Sequence, residues 1–239
     1  MEINQATPIS IIIPVLNEAP ILTATLSALQ SLRAAGHEII VVDGGSADPT
    51  VALAKTWADQ VIISKCGRAR QMNAGAAIAR HTLLLFLHAD TQLPPHADQL
   101  IISALQKNGR HPHHPYHLGQ WGRFDVQLSG KHFLLRIIEW SMNWRSRITG
   151  IATGDQAMFI CRGLFQRVGG FPDIPLMEDI TLSRTLKRHA QPVCLPHAVI
   201  TSSRRWEQRG ILRTLLLMWG LRLAYALGTD PHRLSRLYK

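Results

Sequence analysis

Three apolar segments in the first ninety residues each end near a carboxylate, and this repeated placement constrains the fold more than any other feature. The segments and the polar residues that follow them are 9–15 with Asn17 and Glu18, 39–42 with Asp43, and 83–87 with Asp90. In a parallel sheet, buried strands read as continuous apolar runs, and ligands bind beyond their carboxyl ends. The pattern therefore predicts that the three acidic tips face one cleft.

Acidic residues in a cleft oppose the overall field of a chain whose formal charge is +10, so we expect them to hold a metal ion, sugar hydroxyls or a base edge. The excess of Lys and Arg has three ordinary explanations: nucleic acid, an anionic membrane surface, or an anionic substrate such as a nucleotide diphosphate. Basic residues crowd 184–239 beside long apolar stretches. This mixture favours a membrane surface over a nucleic-acid-binding arm.

Strand-like runs alternate with amphipathic helical patterns through residues 9–107. This alternation predicts an α/β fold with a mostly parallel, Rossmann-like sheet and helices on both faces. Residues 120–207 read as a mixed continuation of the same domain. The predicted strands of this second half are 121–128, 157–161 and 197–202, and its predicted helices are 131–147 and 179–189.

The chain reads as helical from about residue 208 to near its end, which predicts a domain over 1–207 and a C-terminal helical segment over 208–239. Arg213 and Arg222 interrupt the densest apolar stretch, 211–227, so it is not expected to span a bilayer. Two interpretations stay open: amphipathic helices docked on the domain, or interfacial helices whose arginines snorkel. The composition slightly favours the second.

The cysteines argue against a disulfide framework or a zinc knuckle. Cys66, Cys161 and Cys194 are odd in number and far apart, which is typical of the reducing cytoplasm. Residues 1–8 contain no basic segment or cleavage-like site, so no signal peptide is expected there.

A loop over residues 108–118 contains a group of histidines that suggests a metal site. The prolines between them prevent the helical spacing that would make the rings converge, and no acid lies nearby, so an ordinary loop is the favoured interpretation. The histidines are His111, His113, His114 and His117.

Four short motifs occur in a specific order along the chain: Pro14 to Glu18, Asp43-Gly44-Gly45-Ser46-x-Asp48, His88-Ala89-Asp90, and Glu178-Asp179 at a helix start. Over residues 9–206 this order resembles glycosyltransferase family 2. Gly67 to Gly75 and Arg204-Arg205-Trp206 look like a compact bacterial subgroup of that family. The resemblance implies the GT-A fold and sugar transfer from a nucleotide-sugar with inversion.

The resemblance also implies roles for individual residues. Asp43 matches the acid that accepts a hydrogen bond from the uracil ring N–H, and this role is favoured over the competing interpretation that Asp43 only caps the turn that follows it. His88 and Asp90 occupy the place of the family's metal-binding Asp-x-Asp, which implies that Asp90 binds Mg²⁺ or Mn²⁺. His88 either binds the same ion or forms a hydrogen bond at the sheet edge without binding it. The full implied donor-binding set is Pro14, Asn17, Glu18, Asp43, Gly45, Arg68, Arg70, Asn73, Asp90, Arg205 and Trp206.

Asp179 matches the family's catalytic base, which takes the proton of the acceptor hydroxyl during in-line attack. The competing interpretation is an acidic pair, Glu178 and Asp179, that offsets the helix dipole. Arg68 and Arg70 flank a helix start, where they bind an anionic donor or are simply solvated.

The sequence thus predicts a metal-dependent, inverting glycosyltransferase that moves a sugar from a UDP-sugar to an acceptor hydroxyl, with a lipid or a membrane-associated molecule as the candidate acceptor. It is expected in the cytoplasm, peripheral on the inner face of the cell membrane, with no nucleic-acid partner. Two alternatives stay open. One is a nucleotidyltransferase on a similar fold, and the other is a degenerate, non-catalytic module that binds nucleic acid or membrane through its basic surface.

Overall fold

A computed structural model of the protein describes residues 7–108 and 120–238, so the loop histidines 111–117 lie outside the described residues. The strands of the described residues are β1 (Ile9–Val15), β2 (Glu38–Asp43), β3 (Gln60–Ile63), β4 (Leu83–Phe86), β5 (Thr91–Gln92), β6 (Trp121–Leu128), β7 (Met158–Cys161) and β8 (Val193–Thr201). The helices are α1 (Ala19–Ala28), α2 (Gln30–Ala34), α3 (Thr50–Trp57), α4 (Arg68–Ile78), α5 (Ala97–Asn108), α6 (Phe133–Thr149), α7 (Arg162–Arg167), α8 (Glu178–Lys187), α9 (Arg204–Arg209), α10 (Ile211–Ala226) and α11 (Pro231–Tyr238), with a 3₁₀ turn at Gly154–Gln156.

These strands form one sheet in the order β3-β2-β1-β4-β7-β6-β8-β5. The half made of β3, β2, β1 and β4 is parallel throughout, as the apolar runs predict. The other half is mixed: β7 runs antiparallel to β4 and β6, β6 and β8 are parallel, and β5 runs antiparallel to β8. The sheet is therefore parallel throughout in the first half of the chain and mixed in the second.

The central strands are buried along their whole length, which explains why they could be recognised from apolar runs. Every residue of β1, β2, β4 and β7 is buried. The predicted strand 121–128 is confirmed as β6 with the same bounds, whereas β8 begins four residues before the predicted 197. Its outer residues are partly exposed, so the apolar pattern there is weak.

The C-terminal segment is not one continuous helix, because Gly210 separates α9 from α10 and Gly228 follows α10. Leu221 of α10 and Leu234 of α11 pack on Met177 and Ile180 at the start of α8. One face of the segment is therefore docked on the body of the protein, while other apolar residues of α10 stay exposed. Among the described helices, none is long and apolar enough to cross a membrane.

Candidate active site

A cleft of about 390 Å³ opens where the carboxyl ends of β1 and β4 approach the start of α8 and the C-terminal helices. Its wall is highly charged and combines both signs. The acidic lining residues are Glu18, Asp90, Asp155, Glu178 and Asp179, and the basic ones are Arg68, Arg204, Arg205, Arg209 and Arg222. The predicted convergence of acidic tips holds for Glu18 and Asp90, whereas Asp43 is not among the lining residues.

Asp179 is held in place by two backbone groups. Gly154 N–H donates to its Oδ2 at 2.8 Å, and Ile180 N–H donates to its Oδ1 at 2.7 Å. Burial raises the pKa of Asp179, these two hydrogen bonds act in the opposite direction, and the charge of Asp155 raises it again. Each carboxylate oxygen has a second lone pair, so the oriented group can still accept a proton.

Glu178 is 6% exposed and lines the same cleft. Burial, and then the negative charge of Asp179, raise the pKa of Glu178 to about 7, while Arg68 opposes the shift. An acidic pair that served only to offset a helix dipole would be solvated at the helix end. The burial of Glu178, with Asp179 half-buried beside it, favours a chemical role over the dipole interpretation.

Two arginines near the acidic pair were not recognised from the sequence as site residues. Arg222 of α10 lines the cleft and lowers the pKa of Asp179. Arg145 of α6 lies close enough to Asp155 and Asp179 for their charges to act on it, and burial lowers its pKa to about 10. The one available signal was the position of Arg222 inside a largely apolar helix.

Asp90 and Glu18 form a second acidic group in the cleft. Burial raises the pKa of Glu18, and the charge of Asp90 adds to this effect, so the two carboxylates are close neighbours. His88 lies beside them, its Nε2 buried and without a hydrogen-bond partner in the described part of the chain. Burial, and then the charge of Arg68, lower the pKa of His88 well below its ordinary value, which keeps the ring neutral.

The residues present fit a divalent cation held jointly with a diphosphate. The described residues contain no group of three or more His, Cys, Asp or Glu side chains arranged to hold a metal by themselves. Mg²⁺ is commonly bound through one or two carboxylates, with substrate phosphates and water completing its shell. Asp90 satisfies that requirement, and the unpartnered His88 nitrogen is a nearby additional donor.

Gly154 allows His88 to occupy its position. A Cβ atom on Gly154 would lie 2.5 Å from Nε2 of His88, a distance that real Cβ atoms do not adopt. The same glycine donates its N–H to Asp179. Gly154 therefore links the predicted metal motif with the predicted catalytic base.

The predicted donor-binding residues at the tips of β1 and β2 bind one another. Oδ2 of Asp43 accepts from the N–H groups of Gly45 and Ser46 at 2.7 and 2.8 Å, and Ser46 Oγ donates to Oδ1. Asn17 N–H donates to Ser46 Oγ, and Asn17 Oδ1 accepts from Ala47 N–H, both at 2.8 Å. The geometry is that of a capped turn in which Gly45 has a φ of +96°.

The hydrogen bonds of this turn favour the turn-capping interpretation of Asp43 over the base-binding one. The side chain is only 1% exposed, and both of its oxygens already accept hydrogen bonds. The turn-capping interpretation therefore accounts for its position, and base binding stays a prediction. Pro14 is buried within β1, which places it in the supporting sheet.

The residues of α4 that were predicted to bind the donor fall into two groups. Arg68 lines the cleft, but Arg70 is exposed, lies outside the lining residues, and donates through Nε to Asp173 at 2.7 Å. Asn73 exchanges two hydrogen bonds with the backbone of Phe171, at 2.8 and 2.9 Å. Arg70 and Asn73 therefore fasten α4 to the 169–173 loop in this structure.

Arg205 and Trp206 line the cleft at the start of α9. The guanidinium carbon of Arg205 lies 4.5 Å from the centroid of the Tyr238 ring, so α11 supports this side chain. Burial, and then the charges of Arg68 and Arg209, lower the pKa of Arg205. Trp206 packs on the cluster formed by Leu128, Leu135 and Ile138, with the rest of its surface towards the cleft.

A sheet that is parallel in its first half and mixed in its second, with a charged cleft at the carboxyl ends of the parallel strands, agrees with the GT-A fold that the sequence motifs imply. The family model described as "Glycosyl transferase family 2" matches residues 10–166. The chain therefore belongs to this family, as its motifs indicate.

The chain is also similar to characterised proteins over limited regions. It is 40% identical over 91 residues to the "PGL/p-HBAD biosynthesis glycosyltransferase" of Mycobacterium bovis (strain BCG / Pasteur 1173P2), a match that covers 35% of this chain and 36% of that protein. The chain thus corresponds to little more than a third of that relative's length.

Solved structures share the fold at low sequence identity. S. aureus TarS 1-349 in complex with UDP has a TM-score of 0.63 at 16% identity, over 82% of this chain and 60% of that one. Mannosyltransferase PcManGT from Pyrobaculum calidifontis, in complex with GDP-Man and Mn²⁺, has a TM-score of 0.61 at 20% identity, over 96% of this chain and 67% of that one.

Proposed function

We propose that the protein is a metal-dependent, inverting glycosyltransferase that moves a sugar from a UDP-sugar to an acceptor hydroxyl. The observation that carries this proposal is that one cleft brings the buried Glu178 and the half-buried Asp179 together with Asp90 and several arginines. An acid oriented at one side and a cationic wall for a diphosphate at the other are what in-line sugar transfer requires.

Asp179 is the proposed base. Its carboxylate is oriented by the N–H groups of Gly154 and Ile180, and it takes the proton of the acceptor hydroxyl as the new glycosidic bond forms. Arg222 lies near enough to balance its charge before the proton arrives. The proposed acceptor therefore lies between Asp179 and the sugar of the donor.

The arginines Arg68, Arg204 and Arg205 are proposed to bind the diphosphate and to stabilise the charge that develops on it as the sugar leaves. Asp90, with His88 beside it, would hold a divalent cation, which supplies further neutralisation of the leaving diphosphate when bound. Support for this assignment also comes from the fold relative crystallised with Mn²⁺.

The preference for UDP is part of the proposal, because one fold relative is complexed with UDP and another with GDP-Man. Peripheral attachment to the inner face of the cell membrane through residues 208–239, and an acceptor presented there, also stay predictions. The exposed apolar residues of α10 support them.

The first experiment is a calorimetric titration of the protein with UDP and, separately, with GDP, each with and without Mn²⁺. We expect UDP binding that strengthens with Mn²⁺, loses that dependence in Asp90→Ala, and keeps it in Asp173→Ala, which removes an exposed acid outside the cleft. Binding of GDP but not UDP would identify a GDP-sugar as the donor in place of a UDP-sugar. Binding of neither nucleotide would contradict the proposal. Release of pyrophosphate from a nucleoside triphosphate would indicate the nucleotidyltransferase instead.

A further inference from the structure

Two helices expose apolar stripes with the same spacing. The stripes consist of Phe133, Ile137, Trp140, Trp144 and Ile148 on α6, and of Leu212, Leu216, Trp219, Leu223 and Leu227 on α10 and just after it. All ten side chains are between 54% and 78% exposed. Residues three and four apart lie on one face of a helix, so each set forms a continuous stripe. Contiguous apolar surface of this kind marks an interaction site, unlike single exposed apolar residues.

The two stripes belong to neighbouring helices. Leu135 and Ile138 on the inner side of α6 share a cluster with Ile211 and Leu215 of α10. On α6 the stripe lies on the side opposite Leu135 and Ile138, and on α10 it runs beside Ile211 and Leu215. Trp140 and Trp144 stack on each other with ring centroids 6.3 Å apart, so the aromatic part of the α6 stripe is already ordered.

The charges around the stripes identify the kind of partner. Of the three arginines in residues 208–229, two line the catalytic cleft and Arg213 lies on the outer surface, and this range contains no Asp or Glu. The acid of α6, Glu139, is buried and accepts from Leu128 N–H, so it does not reach the outer surface. Lys131 before α6 and Arg213 on α10 are exposed. The surface is therefore apolar and basic, which matches an anionic bilayer, whereas a second copy would oppose it with the same positive charge.

We propose that α6 and α10 together form a docking surface for an anionic lipid bilayer. The apolar stripes enter the boundary between headgroups and acyl chains, where tryptophan is favoured, and the basic side chains meet the lipid phosphates. The proposal shares with the proposed function only the peripheral attachment of residues 208–239, and it adds α6, for which the sequence predicted no such role. Met218 and Arg222 of α10 line the catalytic cleft, so docking brings the cleft next to the headgroups.

The test is flotation of the full chain with vesicles of phosphatidylcholine alone or mixed with phosphatidylglycerol, at low and high salt. Trp140→Ser and Trp219→Ser remove one exposed ring from each stripe. Ile63→Ser is the matched control, because Ile63 is 70% exposed on the edge strand β3. We expect flotation with the anionic vesicles that salt weakens, and at least about tenfold weaker partitioning in each tryptophan variant but not in the control.

Three results would overturn the proposal: no flotation of the wild-type protein, an unchanged Trp140→Ser variant beside a defective Trp219→Ser variant, or equal loss in the control. Size exclusion without vesicles is measured in parallel, since a dimer that Trp140→Ser dissociates would assign the surface to a second copy. UDP titration of the same samples keeps the two proposals apart. Vesicle binding without UDP binding contradicts the proposed sugar transfer and leaves the docking surface standing. UDP binding without flotation contradicts the docking surface and the peripheral attachment, and leaves the sugar transfer standing.

Discussion

The polar residues at the tips of β1 and β2 differ from those of the cleft in what their side chains bind. At the tips, Asp43, Ser46 and Asn17 satisfy one another and the turn between them. In the cleft, Glu178 is buried with a pKa raised to about 7, and His88 has a buried nitrogen without a partner. Both regions follow strands or begin helices, and both matched motifs of the family. A motif position alone therefore does not separate a side chain that builds a loop from one that is available to a ligand.

The largest effect is expected from Asp179, the oriented acid of the cleft. Asp179→Asn keeps the side-chain shape but cannot take a proton, so we expect sugar transfer to fall by roughly 10²- to 10⁴-fold while UDP affinity is unchanged. Transfer to a generic acceptor and UDP titration are measured on the same sample. Asp173→Asn, an exposed acid outside the cleft, is the control. Full transfer activity in Asp179→Asn would remove it as the base.

Glu178 provides a test of the cleft through stability. Its pKa of about 7 in the folded protein lies above the ordinary value of 4.5, so the fold favours the protonated form. The stability that this shift contributes is fully present below about pH 4.5 and is lost as the pH rises through 7, by up to about 3 kcal/mol. Glu178→Gln stays neutral, and we expect it to flatten this pH dependence and to be more stable than wild type at pH 8.

Urea unfolding at pH 5 and pH 8 measures this effect. The matched control is Glu207→Gln, which alters an exposed glutamate outside the cleft lining. An identical loss of stability between the two pH values in wild type and Glu178→Gln would show that Glu178 titrates in its ordinary range. The cleft would then lack the buried acid that distinguishes it from the strand tips.

Asp43 tests the prediction that the polar residues at the tips of β1 and β2 stabilise a turn. Asp43→Asn weakens the hydrogen bonds from two backbone N–H groups and the Ser46 hydroxyl, so we expect the free energy of unfolding to fall by about 2 kcal/mol. Ser46→Ala disturbs the same turn without changing the carboxylate. UDP affinity is expected to fall to a similar extent in both variants. A far larger loss of UDP affinity in Asp43→Asn would establish the base-binding role instead.

The sequence predicted the first half of the fold better than the second for a physical reason. β1, β2 and β4 are buried along their length, so their apolar runs are local signals of the parallel sheet. β8 is only partly buried, and its pairing with β6 joins segments about 70 residues apart, which no local pattern reveals. The antiparallel placement of β7 beside β4 is likewise set by long-range packing.

The candidate site divides in a similar way. Glu18, Asp90 and Glu178-Asp179 could be found because each lies in a short motif at a strand end or a helix start. Arg222 could not, because its proximity to Asp179 depends on how α10 docks against α8, 43 positions earlier in the chain. The pairing of Arg70 with Asp173, 103 positions away, could not be predicted from the sequence either. A sequence motif gives the residue type, and tertiary packing decides which partner it finds.

The smallest effect is expected from Arg70, whose neighbour Arg68 is the matched comparison on the same helix. Both side chains are exposed, but Arg68 lines the cleft, whereas Arg70 lies outside the lining and is paired with Asp173. Arg68→Ala should weaken UDP binding by about tenfold or more, because it removes a charge-assisted contact to the diphosphate. Arg70→Ala should leave both UDP affinity and the urea midpoint unchanged, since exposed ion pairs contribute little. Equal losses of UDP affinity in the two variants would place Arg70 in the donor site. They would also show that the ion pair between Arg70 and Asp173 breaks when the donor binds.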